Sequence, residues 1–344
     1  MQAPAKNTSA DATTKLPGFV QIEPVGQCNL RCRMCPIQFR PDGTAGGPPA
    51  FMSFDAFCSL IDQFPTMTEL QLQGMGEPLL HPRIFDMVRY AADRGIVVST
   101  NTNMTALSER RARECTQSGL SRMHVSLDGA SAGTYEFIRA RAKFDRVLRN
   151  LRRLTDAKLM LGSSLPRIEL VAVVMRVNLH ELPDLVRLAR HLDIDVVSVQ
   201  HLCHDFAETT LPARYLPMRS FVDRETLLNE DPSRVAHYFD AARAAALESG
   251  VSLRLPDIAP EAAAPVAQNP RCDWPWRGAY VSYAGDAMPC CMVATPDRIN
   301  FGNMARDGVA QIWNNAAYSD FRSRLASGQP PEICSTCAVY KGTF

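Results

Sequence analysis

Short runs in which polar and apolar residues alternate recur along this chain, and each is followed by a helical pattern. Residues 18–25 set Val20 and Ile22 on one face and Gln21 and Glu23 on the other, the period of a half-buried strand. Similar runs recur at 69–73, 96–100, 123–127, 168–174 and 196–200. Between them, the sequence predicts helices over 54–64, 82–93, 108–118, 144–157 and 182–192. Ser53 is placed to cap the first helix and Gly95 to end the second. Repeated strand–helix alternation predicts an α/β fold, a parallel sheet with helices outside it. Six such units make a partial TIM-like (β/α)6 barrel, with chemistry expected at the C-terminal strand ends.

The pattern changes after residue 200. Residues 209–232 hold several prolines and predict an irregular connection over the site. An Ala-rich amphipathic helix over 235–249 ends at Gly250, and 251–256 reads as a short strand. The Ala/Pro-rich stretch 257–270 predicts a linker, so 17–256 forms one domain and 271–344 a smaller α+β one. In the second, a hairpin is expected over 279–290 with its turn at 284–286, then a helix over 309–325. Residues 1–16 are small and polar and are expected to form a disordered leader rather than a signal peptide.

Composition narrows the function. A net charge of +1 argues against a general nucleic-acid or membrane-surface binder. No apolar run approaches the roughly 20 residues needed to span a bilayer. The 11 cysteines cluster as C-x3-C-x2-C and C-x2-C, which points to metal ligation in a reducing cytoplasm rather than to disulfides.

Cys28, Cys32 and Cys35 directly follow the first strand. Three thiolates are one short of a closed zinc site. A cubane iron–sulfur cluster normally takes four cysteines, so three leave one iron open. Read alone, the motif is also open to a chance group of thiols or part of a zinc site. The spacing resembles the signature of the radical S-adenosylmethionine (SAM) enzymes. That resemblance implies a 4Fe-4S cluster whose open iron is chelated by SAM. It also implies reductive cleavage of SAM to methionine and a 5′-deoxyadenosyl radical, with a flavodoxin- or ferredoxin-type reductant. Met34 stands where that family often has an aromatic residue, and a thioether can still pack on adenine.

The strand ends extend the resemblance. Gly74-Met75-Gly76-Glu77-Pro78 resembles the family's Gly-Gly-Glu-Pro motif, which implies contact between Gly74, Gly76, Glu77 and the SAM amino group. Standing alone it would read as a turn. Asn101, after the third strand, suits the ribose or polar end of SAM, or caps a turn. Ser126-Leu127-Asp128-Gly129, preceding Thr134-Tyr135-Glu136 and Arg139, is similar to a stretch of family members with auxiliary clusters. It carries over Ser126 as a SAM contact and leaves Asp128 as a substrate ligand or turn residue. Arg176 is expected near the SAM carboxylate, to which it offers a bidentate fork, or else is a solvated arginine. Leu202 is a candidate adenine contact, and Cys203 a hydrogen-atom donor or a small buried hydrophobe. Cys58 and Cys115 lie in predicted helices and read as core.

Towards the C-terminus, Cys272, Cys290, Cys334 and Cys337 can supply four thiolates, with Cys291 competing for the place of Cys290. A zinc ribbon matches that ligand count. The layout resembles the twitch form of the SPASM domain, which implies a second, fully ligated 4Fe-4S cluster. With seven residues after Cys337, one auxiliary cluster is expected. Such a cluster can accept an electron from a substrate radical, and the cysteine layout is similar to the twitch-containing aminocyclitol dehydrogenase of butirosin biosynthesis. The expected activity is therefore oxidation of a small hydroxylated metabolite, a sugar or aminocyclitol. Alternatives are an epimerase using a cysteine hydrogen donor, a ribosomal-peptide maturase, and a non-catalytic iron–sulfur or zinc protein.

Overall fold

The first strand, β1 (Phe19–Ile22), buries Val20 and Ile22 completely, as the alternation requires, and leads straight into the cysteine loop. The computed structural model describes residues 14–41, 50–202, 206–258, 272–293 and 295–341. In chain order the other strands are β2 (Arg31–Cys32), β3 (Glu69–Leu72), β4 (Val97–Thr102), β5 (Arg122–Ser126), β6 (Arg139–Ala140), β7 (Arg167–Val174), β8 (Val196–His201), β9 (Ser252–Arg254), β10 (Gly278–Val281) and β11 (Ala287–Met288). Among the described residues, nine of these form one open sheet in the order β11-β10-β1-β3-β4-β5-β7-β8-β9. All its pairs are parallel except β10–β11. The short strands β2 and β6 pair separately and antiparallel.

The helices between the strands are α1 (Phe54–Ile61), α2 (Ile84–Ala92), α3 (Glu109–Thr116), α4 (Ala132–Ile138), α5 (Phe144–Met160) and α6 (Leu182–His191). Five of them follow predicted ones, and α4 is an addition that the sequence reading did not foresee. The Ser53 hydroxyl accepts from Ala56 N and caps α1. Gly95, at φ 77°, stops α2 with a backbone few other residues adopt. Each strand turns one face to the helices: on β4, Val98, Thr100 and Thr102 are buried, alternating with Ser99 and Asn101. The other face is polar, carrying Gln71 on β3, Asn101 on β4, His124 on β5 and Glu169 on β7. The chain is therefore an α/β protein with a mostly parallel sheet and a smaller C-terminal unit.

Four further features depart from the sequence expectation. The stretch 209–232 contains a helix, α7 (Leu216–Glu225), whose Pro217 lies in the first turn, where its missing N–H costs nothing. The helix expected over 309–325 is two, Val309–Trp313 and Ala316–Ala326, broken where Asn315 caps the second through Tyr318 N. The expected hairpin forms as β10–β11, but β10 also pairs with β1, so the C-terminal unit extends the barrel's own sheet. Finally, residues 14–16 are tied down: Thr14 N donates to Asn314 Oδ1 and Trp313 Nε1 donates to the Lys15 carbonyl. The rest of the leader, and the linker from residue 259, lie outside the described residues. Among the described residues, no helix is long and apolar enough to cross a membrane.

Candidate active site

Two loops lock together at the C-terminal end of the sheet. The Glu77 N–H donates to the Gln27 carbonyl at 2.8 Å, joining the loop after β3 to the cysteine loop. A side chain on Gly76 would put Cβ 1.9 Å from the Val25 carbonyl oxygen, and one on Gly74 would meet Glu23 at 2.3 Å. These glycines therefore serve close loop-to-loop approach, and both also line the cavity described next. Glu23 fixes the arrangement. Its Oε1 accepts from Met75 N and from Arg40 Nη1, both at 2.8 Å, in a buried ion pair.

The locked loops wall an open cavity of about 210 Å³. Cys28, Cys32, Met34 and Cys35 line it from the loop after β1, and Gly74, Gly76 and Glu77 from the loop after β3. Asn101 and Ser126 reach it from β4 and β5, and Leu202 from just beyond β8. The structure thus gathers nearly all the cofactor-binding candidates around the three thiols. Asn103 lines it too, as does Arg139, which the sequence marked only as part of a family-like stretch; Gln73 and Gln200 are residues that sequence reasoning did not single out.

The donor set suits a cationic cluster. Burial pushes the Cys32 thiol up to about 12 and also raises Cys28 and Cys35. Metal charge offsets that same penalty when it replaces the proton. Polar hydrogens already point at the sulfurs. Leu30 N and Asn103 Nδ2 donate to Cys28 Sγ at 3.4 and 3.6 Å, and Arg139 Nη1 to Cys32 Sγ at 3.8 Å. Glu77 is the buried carboxylate of the site. It accepts from Leu79 N, Thr102 Oγ1 and Asn103 N, yet burial still raises its pKa. Asn101 accepts on Oδ1 from His124 Nδ1 at 2.8 Å and from Gln71 Nε2, which leaves its amide NH2 as the group offered to a ligand.

Two predicted residues have other partners. Arg176 does not line the cavity: its guanidinium pairs with Glu230 at 2.8 Å, and its N–H donates to the Glu225 carbonyl. Asp128 is also absent from the lining and is buried. Its Oδ1 accepts from Val173 N, and its Oδ2 lies 2.5 Å from Arg139 Nε. It positions Arg139, and the β2–β6 pairing sets Arg139 opposite Cys32. Burial works against the charge of Arg139, but Asp128 and Cys32 outweigh it and hold its pKa above the ordinary value. Cys203 lies outside the described residues. Cys58 and Cys115 sit in α1 and α3, and Cys115 is fully buried.

The C-terminal thiols form a second group. Burial raises Cys290, which also feels Cys291, Cys337 and Cys334. It pushes Cys291 and Cys334 up to about 12 and raises Cys272, with Cys337 adding to the effect on each. Five thiols rather than four therefore share this region, since Cys337 acts on Cys291 as well as on Cys290. Each described cysteine is a free thiol.

Comparison with known proteins fits this geometry. Residues 22–189 match the Radical SAM superfamily, and residues 272–338 match SPASM, an iron–sulfur cluster-binding domain. The chain carries a radical SAM domain followed by a SPASM domain. The first implies a 4Fe-4S cluster and SAM, the second an auxiliary iron–sulfur cluster. The chain is 24% identical to the tungsten-containing aldehyde ferredoxin oxidoreductase cofactor-modifying protein of Pyrococcus furiosus, over 93% of this chain and 87% of that one. It is 23% identical to a PqqA peptide cyclase of Bradyrhizobium diazoefficiens, over 96% and 81%. Among solved structures, Streptococcus suis SuiB bound to precursor peptide SuiA superposes with a TM-score of 0.66 at 13% identity, over 96% and 72%. BtrN in complex with AdoMet and 2-DOIA superposes with a TM-score of 0.50 at 17% identity, over 94% of each chain.

Proposed function

We propose that this protein is a radical SAM dehydrogenase that oxidises a small hydroxylated metabolite, a sugar or aminocyclitol, by two electrons. When bound, SAM and the two clusters supply a 5′-deoxyadenosyl radical and an electron acceptor. The observation that carries the reading is the β1–β10 pairing, which builds the auxiliary thiols onto the strand that feeds the cysteine loop. An electron acceptor is useful only close to where a substrate radical forms. Cys28, Cys32 and Cys35 hold the SAM-binding cluster, and Cys272, Cys290, Cys334 and Cys337 the auxiliary one. Beside the SAM contacts Asn101 and Ser126, Gln73 and Gln200 bring uncharged hydrogen-bonding groups to the same cavity, a lining suited to hydroxyls. A substrate held there loses a hydrogen atom from its carbinol carbon, a proton from its hydroxyl and one electron, leaving a ketone.

The test is a screen of polyols and aminocyclitols deuterated at the carbinol carbon. Deuterium in 5′-deoxyadenosine, with one ketone formed per deoxyadenosine, is the expected result. Deuterium transfer without a ketone, or none from any hydroxylated compound, would overturn it. A second reading, maturation of a ribosomal peptide, is favoured by the relative named as a peptide cyclase and by the fold shared with peptide-bound SuiB. It predicts transfer from a peptide side chain instead.

A further inference from the structure

His124 sits in β5, on the face it shares with Ser126. Ser126 lines the cavity; His124, two residues further from the strand end, does not. The β4–β5 register sets His124 beside Asn101, and the side chains meet: Nδ1 lies 2.8 Å from Asn101 Oδ1. An amide oxygen only accepts, so Nδ1 carries the proton of this bond. The other ring nitrogen, Nε2, stands 3.7 Å from Glu169 Oε2, too far for a hydrogen bond. Among the described residues, the bond to Asn101 is the ring's one hydrogen bond.

That bond decides what Asn101 shows to a ligand. An amide side chain keeps nearly the same shape when it turns over, but its two ends are opposite in chemistry: one donates two hydrogens, the other accepts. Asn101 lines the cavity, so the end that faces it selects the ligand atom it can bind. Two donors converge on Oδ1, His124 Nδ1 from β5 and Gln71 Nε2 from β3 at 3.3 Å. Together they hold the oxygen back and leave the NH2 for the cavity. Gln71 is the weaker hold, being the longer contact and shared with Gln73 Oε1 at 2.6 Å. Without His124 the turned-over amide becomes populated, and the apparent affinity for a ligand that needs the NH2 falls with the fraction lost.

We propose that His124 is a positioning residue for SAM. Its Nδ1–H holds Asn101 in the orientation whose NH2 donates to an acceptor atom of bound SAM. The proposal rests on the reading of Asn101 as a SAM contact.

The test is a double-mutant cycle read as SAM affinity. Radiolabelled SAM is dialysed to equilibrium against the anaerobically reconstituted, unreduced full chain, so binding is measured without turnover. Asn101→Ala should weaken binding roughly tenfold, the loss of one hydrogen bond. His124→Leu should weaken it roughly threefold, since Gln71 still holds the oxygen. The double variant should bind no worse than Asn101→Ala alone, because His124 acts only through Asn101. His124→Asn, whose amide places an N–H near the site of Nδ1, should bind like the wild type. His124→Thr, a good strand former too short to reach Asn101, should repeat the leucine result even where the leucine chain assembles poorly. Wild-type affinity in the leucine and threonine variants would overturn the proposal. So would losses that add in the double variant, which would mark a general disturbance of the sheet. Unchanged affinity in Asn101→Ala would instead refute the underlying reading, before any His124 variant is compared.

Discussion

Arg139 stands in a family-like stretch of the sequence, but nothing local says what it touches. It reaches Cys32 only because β2 and β6, more than a hundred residues apart in the chain, pair antiparallel. Arg176, by contrast, sits at the right strand end for a SAM ligand, but Glu230 captures it from a segment whose course the local pattern did not predict. The cysteines, Glu77 and Ser126 were legible through family-like motifs, and strand-end position brings them, with Asn101, to the cavity. Gly76 gives a sharp prediction at this scale. The Val25 carbonyl that an added Cβ would strike is backbone and has no rotamer to escape into. Gly76→Ala should cost at least about 3 kcal/mol in urea unfolding and lower iron retention at the three N-terminal thiols. His81 gives another. Its Nε2–H donates to the Met52 carbonyl and its Nδ1 accepts from Arg83 N, which fixes a neutral ring, and burial lowers its pKa. An unfolded histidine takes up a proton below about pH 6.5, and the folded one resists. Stability should therefore fall as pH drops below that point, by at most about 1.4 kcal/mol per pH unit for this group. His81→Gln, which keeps the donor to Met52, should flatten that part of the slope.

Among the elements, the sheet strands were legible because their faces differ chemically: helix-facing residues are apolar, and barrel-facing ones are Gln, Asn, His and Glu. α7 was missed because Pro212 and Pro217 look like breakers, although proline in a first helical turn is a start signal. The two C-terminal helices were merged because Asn314 and Asn315 interrupt an apolar period without a glycine or proline to mark the break. The partner of β1 was illegible for a different reason, since register between strands far apart in sequence is decided by packing. The pairing carries a consequence. Val20 and Ile22 are fully buried, and β10 covers one edge of their strand. A chain cut after residue 258 would leave that edge open, an invitation to intermolecular strand pairing. Residues 1–258 alone should aggregate on expression, and a soluble, monomeric fragment by size-exclusion chromatography would contradict the single-sheet account.

For the whole molecule, the central claim is that one chain holds two iron–sulfur centres joined through one sheet. The N-terminal thiols wall a cavity shared with hydrogen-bonding groups from several strands, and the C-terminal thiols belong to the unit whose strand β10 pairs with β1. The proposed oxidation needs both centres: one to generate the radical, the other to take the electron left after hydrogen abstraction. The most direct test is the iron and sulfide content of the anaerobically reconstituted chain, compared with the variant in which Cys28, Cys32 and Cys35 are all alanine. Two cubane clusters predict about eight irons per chain in the wild type and about four in the variant. About four in the wild type with essentially none in the variant would contradict the account, because the C-terminal thiols would then hold no iron and no electron acceptor.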